Sequence, residues 1–154
     1  MRILHAWINE VREAELLEKY RVEPGDLYRL VERAEWLLYA AGELAKLFRR
    51  REFTAPLTEL RLRVKHGVRA ELLPLASLEG VGRIRARALY AAGFHTLEDL
   101  KHAQPSQLVA VPGIGGRLAK RIKEQVGGLV RKGELKEAEK RGTQDSMESY
   151  VSEG

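Results

Sequence analysis

Two short glycine turns, each followed by basic residues, form the part of this sequence with the clearest chemistry. The first reads GVG over residues 80–82, and the second reads GIG over residues 113–115. Glycine adopts left-handed backbone angles and, without a Cβ, lets a ligand come close to the backbone. Each turn leads into a predicted helix start, where free amide groups and the positive end of the helix dipole favour an anion. This arrangement suits a phosphodiester and contacts no base edge.

The residues around the two turns follow one pattern, which makes residues 72–126 a tandem repeat. Val81 and Ile114 lie between the glycines and are predicted to anchor each turn in the core. A short apolar helix is predicted before each turn and a basic amphipathic helix after it. The candidate phosphate ligands are Gly80, Gly82, Arg83, Arg85 and Arg87 in the first copy and Gly113, Gly115, Arg117, Lys120 and Arg121 in the second. A plain helical corner with a glycine cap would explain one copy, but two copies followed by cations favour DNA.

The composition limits the classes of protein to be considered. The chain has 154 residues, enough for one or two small domains. Its net charge of +5 fits a polyanionic partner. It contains no cysteine, which excludes disulfides and thiolate metal sites. No apolar run has membrane-spanning length and no signal peptide is recognisable, so we expect a soluble cytoplasmic protein, associated with the nucleoid if it binds DNA.

The sequence contains no recognisable catalytic motif. It lacks both the phosphate-binding GxxxxGK[ST] pattern and a GxGxxG pattern after a strand. The four histidines have no metal-ligating neighbours at useful spacing, and no nucleophile is paired with a base. We therefore expect no catalytic residue, metal or cofactor in this chain.

Apolar residues recur at helical spacing along most of the chain, which predicts an all-α fold. Residues 1–20 predict two helices, and the uncapped start of the first is what a piece of a longer chain would show. The longest predicted helix runs from Asp26, as its N-cap, to Phe48. Another is predicted from Leu57 to His66, ending at Gly67.

Three regions are predicted, the first ending in a basic, proline-ended connection at residues 49–56. Residues 1–56 form a helical bundle fragment, and residues 57–128 form the tandem repeat with its lead-in helix. Residues 129–154 form a charged helix and a flexible tail. Between the two turns, Thr96 and Asp99 predict a capping box at the start of a short helix.

The longest predicted helix carries Arg29 and Trp36 two turns apart, opposite its apolar stripe. Trp36 could pack against another element of a larger bundle. Alternatively, it could stack on unpaired bases, each stack contributing about 1–3 kcal/mol, while Arg29 holds an adjacent phosphate. Considered alone, the residues favour packing.

Five blocks, in this order, resemble the C-terminal part of archaeal superfamily-two DNA helicases of the Holliday-junction-migration type. They are WINE (7–10), VEPGDL (22–27), VERAEWL (31–37), RVKHGV (63–68) and GRIRAR (82–87). The resemblance covers about residues 3–126. It implies the last helices of a helical "ratchet" domain followed by a tandem helix-hairpin-helix domain, a fold that binds the DNA backbone.

This resemblance also implies roles for individual residues. The family comprises ATP-dependent 3′-to-5′ helicases of replication forks, whose ATP and Mg²⁺ are bound by motor domains that precede this part. Arg29 and Trp36 match the pair that contacts the translocating single strand, which reverses the preference for packing. Arg85 and Arg87 match an Arg-Ala-Arg element that meets the exiting strand. The implied partners are single-stranded and forked DNA and the remaining helicase domains, with work in DNA replication, repair and recombination.

An accessory double-hairpin domain of a nuclease or repair enzyme is the alternative. It would explain residues 72–126, but neither Trp36 nor the long helix.

The tail residues 144–151 (QDSMESYV) are similar to the peptide that binds sliding clamps (PCNA). In that peptide Met147 and Tyr150 would enter an apolar pocket, and Gln144 would cap it. Val151 stands where an aromatic residue is usual. The chain is therefore either also a clamp-docking module or ends in a disordered tail with a chance pattern.

Overall fold

The structure is a computed structural model that describes residues 2–127, and within this range it contains helices and turns but no strand. The helices are α1 (Arg2–Ile8), α2 (Glu13–Tyr20), α3 (Pro24–Leu47), α4 (Thr54–His66), α5 (Leu73–Ala76), α6 (Gly82–Ala91), α7 (Leu97–His102), α8 (Pro105–Val109) and α9, described over residues 116–127. Short 3₁₀ turns lie at Arg51–Phe53 and Ala70–Leu72. The all-α fold predicted from the periodicity is confirmed.

Backbone contacts divide the described residues into two compact units, the first ending at His95 and the second beginning at Thr96. The first unit contains α1 to α6 and therefore the first glycine turn. The second contains α7 to α9 and the second turn. The domain boundaries predicted at residues 56 and 128 stay predictions.

The core of the first unit begins with a cluster shared by α1 to α4. Its buried members are Ile3, Trp7, Leu16, Leu27, Val31 and Val64. Ile3 and Trp7 lie four residues apart, which puts both on one face of α1. The indole Nε1 of Trp7 donates to the carbonyl oxygen of Val64 at 2.8 Å, so the polar edge of the ring is satisfied inside the core. The prediction that Trp7 is a core residue is confirmed.

The longest helix, α3, begins two residues earlier than predicted. Glu23 is its N-cap residue and Pro24 occupies the first turn, so the prediction of Asp26 as N-cap was wrong. Proline is tolerated there because its missing N–H would have no intrahelical partner. Asp26 lies inside the first turn, where its carboxylate accepts from Arg29 Nη2 at 2.6 Å.

The apolar stripe predicted on α3 is buried only near the start of the helix. Leu27 and Val31 are buried, whereas Leu44 and Phe48 are exposed. The second half of α3 therefore carries apolar side chains on its surface.

Helix α4 packs against α3 and begins at Thr54, three residues before the predicted start. The predicted start after Pro56 was wrong for the same reason as in α3, because proline fits the first turn of a helix. The predicted end is confirmed: Gly67 caps α4 with φ 64, and its N–H donates to the Arg63 carbonyl at 2.8 Å.

In the second unit, short capped helices surround a small apolar core. The Thr96 hydroxyl accepts from Asp99 N at 3.1 Å, and the Asp99 carboxylate accepts from Thr96 N at 2.8 Å. This confirms the predicted capping box. Leu100 of α7, Leu108 of α8 and Ile122 of α9 are fully buried.

Candidate nucleic-acid interface

The first glycine turn joins α5 to α6 and has the geometry expected from its sequence. Val81 is buried and anchors the turn. Gly80 and Gly82 have φ 82 and φ 52, both in the left-handed region, and α6 begins at Gly82. The first amide groups of a helix have no intrahelical acceptor, so this turn presents donors next to the basic residues of α6.

The second turn, between α8 and α9, has the same anchor but a different backbone. Ile114 is buried and Gly113 has φ 81, whereas Gly115 does not have a positive φ. Beyond the adjacent residues and the backbone of α9 itself, a Cβ added at Gly115 or Gly116 would meet no atom within 4 Å. Neither a steric clash nor a left-handed backbone angle therefore requires glycine at position 115. The absence of a side chain there leaves open space just before α9.

The three arginines of α6 differ in what their guanidinium groups contact. Arg83 stacks over the Trp7 ring, with its Cζ 4.2 Å from the centroid, and its Nη2 donates to the Val11 carbonyl at 2.7 Å. Burial lowers the pKa of the Arg83 guanidinium. Arg85 is exposed, and its Nη1 donates to the Gly80 carbonyl of the turn at 3.0 Å.

Arg87 forms two ion pairs inside the first unit. Its Nε and Nη2 donate to the two carboxylate oxygens of Glu10, both at 2.7 Å, and Nη2 also donates to Glu71 at 3.0 Å. The hydrogen bond to Glu10 raises the pKa of Arg87 above its usual value. Burial raises the pKa of the Glu10 carboxyl, but the hydrogen bonds from Arg87 and from the amide of Arg69 outweigh this and leave it lowered.

The cations of α9 also divide into two groups. Arg117, Lys120 and Arg121 are exposed, and the Lys120 side chain has 79% of its surface accessible. The ammonium group of Lys123 instead donates to three backbone carbonyls at the end of α7, those of Leu100, Lys101 and Ala103. Lys123 therefore holds α9 against α7 within the second unit.

The remaining predicted DNA ligands lie on α3. The Arg29 side chain is 71% exposed and pairs with Asp26, whose pKa is lowered by that hydrogen bond. Trp36 is 65% exposed, which is unusual for so large an aromatic side chain. The adjacent Leu37 and Leu44, about two turns further along, are exposed as well, so Trp36 belongs to an apolar surface.

In the first unit, the predicted ligands at the first turn and at Arg29 and Trp36 are exposed. Arg83 and Arg87 contact other parts of the protein. The sequence did not predict the roles of Glu10 and Lys123. Glu10 lies in the WINE block, but nothing in that block indicates that it meets Arg87 across 77 residues. Lys123 resembles the other cations of its basic helix, so its type and spacing do not distinguish it from a phosphate ligand. The predicted clamp-binding residues Gln144, Met147, Tyr150 and Val151 lie outside the described residues.

Residues 2–127 contain neither a metal-binding cluster nor a membrane-spanning helix. No group of three or more histidine, cysteine or acidic side chains is arranged to hold a metal ion there. None of the helices in the same range has the length and apolar character to cross a membrane.

Two family models match adjacent parts of the chain. Residues 1–67 match the model described as archaeal helicase, domain 4, and residues 72–127 match a SAM-like helix-hairpin-helix tandem. The two glycine turns therefore belong to a helix-hairpin-helix tandem, as the sequence predicts.

Curated relatives named ATP-dependent DNA helicase Hel308 are similar over most of this chain. The Pyrococcus abyssi protein is 49% identical over 144 residues, covering 93% of this chain and 20% of the relative. Those of Pyrococcus horikoshii and Caldivirga maquilingensis are 51% and 49% identical, each covering 84% of this chain and 18% and 17% of the relative. The chain thus spans about a fifth of the length of these relatives. The resemblance inferred from the five sequence blocks is confirmed.

Proposed function

Since this chain matches the C-terminal region of archaeal superfamily-two DNA helicases, as a helicase domain 4 followed by a helix-hairpin-helix tandem, we propose that it binds DNA without sequence preference. It does so as the accessory region of an ATP-dependent 3′-to-5′ helicase that acts on replication forks and branched DNA. ATP and Mg²⁺ belong to other domains of that helicase. The proposed role of this chain is to bind the DNA strand.

The observation that carries the proposal is that the second glycine turn combines open space, a helix start and exposed cations. A buried Ile114 fixes the turn, and beyond the two neighbouring residues no atom lies within 4 Å of a Cβ added at Gly115. Exposed Arg117 and Lys120 follow within two turns of α9. A phosphodiester fits this space, because helix-start amides and cations both favour an anion and neither contacts a base.

On α3, Arg29 and Trp36 form the second contact with DNA. The exposed indole offers a stacking surface to an unpaired base, and Arg29 offers a cation to the neighbouring phosphate. The contact selects single strands, because a base inside a duplex has no free face. Together with the first hairpin, which lies in the same unit, it would bind a single strand and the adjoining fork.

A helicase fits this chain better than the nuclease or repair-enzyme alternative. The double hairpin alone is compatible with either class, but residues 1–67 match a helicase domain. The relatives in the comparison are named as DNA helicases.

The experiment is a fluorescence-anisotropy titration of single-stranded, forked and blunt duplex DNA at several salt concentrations. We expect forked and single-stranded DNA to bind more tightly than the duplex, with affinity falling steeply as salt rises. The double variant Trp36→Ala/Arg85→Ala should weaken single-strand binding about 10- to 100-fold, from loss of one stack and one cation.

The matched control is Phe48→Ala/Lys19→Ala, which removes another exposed aromatic from the end of α3 and another exposed cation. It should bind as the parent chain does. Equal losses in both double variants would reject the proposed interface, and unchanged binding in the Trp36 variant would reject the role of α3.

A further inference from the structure

We propose that Arg83 and Arg87 are positioning residues that lock the first hairpin onto the domain 4 helices through Trp7, Val11 and Glu10. Arg87 then acts through Glu10 and is not a phosphate ligand. The inference rests on the proposed function in one respect: the lock fixes the distance between two DNA contacts, at Trp36 on α3 and at the first hairpin.

The geometry of Arg87 is that of a structural ion pair. Its guanidinium meets Glu10 in a bidentate arrangement with two 2.7 Å contacts, and the Glu10 side chain is only 14% exposed. Bidentate pairs fix orientation as well as distance. Glu71 accepts from the same Nη2 at 3.0 Å. A phosphate would have to displace these two carboxylates to bind Nε or Nη2.

Glu10 is the centre of this lock. It lies just after α1 with φ 67, a left-handed conformation that non-glycine residues rarely adopt. Its Oε1 also accepts from the Arg69 amide at 3.0 Å, in the connection between α4 and α5. One carboxylate therefore joins the end of α1, the entry to the hairpin region and α6.

Arg83 makes the second attachment, one turn earlier on α6. It stacks on the Trp7 ring and donates to Val11, and the same ring is held by Val64 through Nε1. Arg83 and Arg87 are four residues apart and therefore lie on one face of α6. Arg85 is exposed between them. Of the three arginines, Arg85 is the one offered to DNA.

The functional consequence is a fixed spacing between Trp36 and the first hairpin. When two sites of one protein bind the same strand, binding at the second site depends on how closely the protein holds that site to the bound strand. A rigid lock raises this effective concentration. Releasing it should weaken only DNA long enough to reach both sites.

Removing the negative charge of Glu10 distinguishes a positioning role of Arg87 from a role as phosphate ligand. If Arg87 were a phosphate ligand, removing the negative charge of Glu10 would free Arg87 and strengthen DNA binding. If Arg87 positions the hairpin, removing either partner should weaken binding by a similar factor. The two alternatives therefore predict opposite signs for Glu10→Ala.

The experiment compares Glu10→Ala, Arg87→Ala, the double variant and the reversed pair Glu10→Arg/Arg87→Glu in the full chain. The control is Glu59→Ala, which removes an exposed carboxylate from α4. Anisotropy titrations use single strands of about 6 and about 25 nucleotides, the shorter limited to one site.

We expect both single variants to lose about 5- to 10-fold in affinity for the long strand only, with no further loss in the double variant. The slope of log affinity against log salt should be unchanged, and the reversed pair should recover part of the loss.

Tighter binding by Glu10→Ala, a salt slope lowered by about one in Arg87→Ala, or equal losses on both strand lengths would overturn the proposal. Unchanged binding in every variant would overturn it too.

Hydrogen exchange of the Arg69 amide, followed by NMR, tests the lock without DNA. Exchange should accelerate at least about ten-fold in Glu10→Ala and in Arg87→Ala but not in the control. If the parent chain fails to bind DNA while this acceleration is seen, the proposed function fails and the lock stands. Binding with no acceleration rejects the lock alone.

Discussion

Trp7 packs directly against the backbone of Gly67. A Cβ added at Gly67 would lie 2.5 Å from Cε2 of the indole, closer than atoms can approach without movement. Gly67 also has φ 64 at the C-cap of α4. The same ring donates to Val64 and lies under Arg83, so one tryptophan joins α1, the end of α4 and α6.

Gly67→Ala should therefore destabilise the protein strongly. The substitution combines a left-handed backbone angle with a clash against a buried ring, and we expect a loss of about 2–4 kcal/mol in the free energy of unfolding. Urea unfolding followed by circular dichroism measures it. Gly42→Ala is the control, since Gly42 lies within α3 with no atom near the added Cβ, and it should stabilise by about 0.5–1 kcal/mol. Equal stability of the two variants would show that the Trp7 contact is not tight.

Gly115→Ala should separate ligand binding from folding. Gly115 has neither a positive φ nor a neighbour near its added Cβ, so its free energy of unfolding should change by less than about 0.5 kcal/mol. Its DNA affinity should fall about ten-fold, because the methyl group occupies the space proposed for a phosphate. Gly113→Ala, at φ 81, should instead lose about 1–2 kcal/mol of stability. Normal affinity in Gly115→Ala would remove the reason for placing a phosphate there.

Lys120 and Lys123 lie on the same helix and should respond in opposite ways. Lys123→Met removes the ammonium group that binds three carbonyls of α7 while keeping most of the aliphatic stem, so we expect a loss of about 1.5–3 kcal/mol in the free energy of unfolding. Lys120→Met, at an exposed position, should change stability by less than about 0.5 kcal/mol. The salt slope of DNA binding should fall by about one for Lys120→Met only. A lowered slope in a stable Lys123→Met would contradict the structural role of Lys123.

The ion pair of Glu10 should make stability depend on pH in the acid range. Its pKa is lower in the folded protein than the ordinary value of 4.5, so the unfolded chain binds more protons between these two values. The stabilisation from Glu10 is therefore complete above pH 4.5 and is lost as the pH falls through the folded pKa. At neutral pH, Glu10→Gln should be less stable than the parent chain by about 1–2 kcal/mol, allowing for the partial exposure of Arg87.

Urea unfolding from about pH 3 to about pH 7 measures this difference. The two curves should converge at the acid end, because protonated Glu10 resembles glutamine. Glu71→Gln should show the same trend with a smaller amplitude, since its carboxyl also has a lowered pKa but makes one hydrogen bond to Arg87 and is more exposed. A difference that is constant across this range would show that the charge of Glu10 contributes nothing.

Local signals in the sequence predicted most of the helices correctly. Apolar spacing predicted α1 to α4, Gly67 indicated the end of α4, and Thr96 with Asp99 indicated the start of α7. The errors occurred at prolines. Pro24 and Pro56 were both interpreted as lying outside a helix, although each occupies a first turn, where a missing N–H carries little cost.

The sequence by itself determined the two glycine turns, their buried anchors Val81 and Ile114 and the resemblance to helicases. These features are set by residues close together in the sequence, so the spacing of residue types along the chain is enough to predict them. Only the tertiary structure decided how the cations divide. Arg83 and Arg87 were predicted as phosphate ligands, and Lys123 lies on the same basic helix as other predicted ligands, but each of the three meets groups 20 or more residues away. The physical reason is that a charged side chain takes the partner that folding brings within reach, and helical periodicity carries no information about that partner.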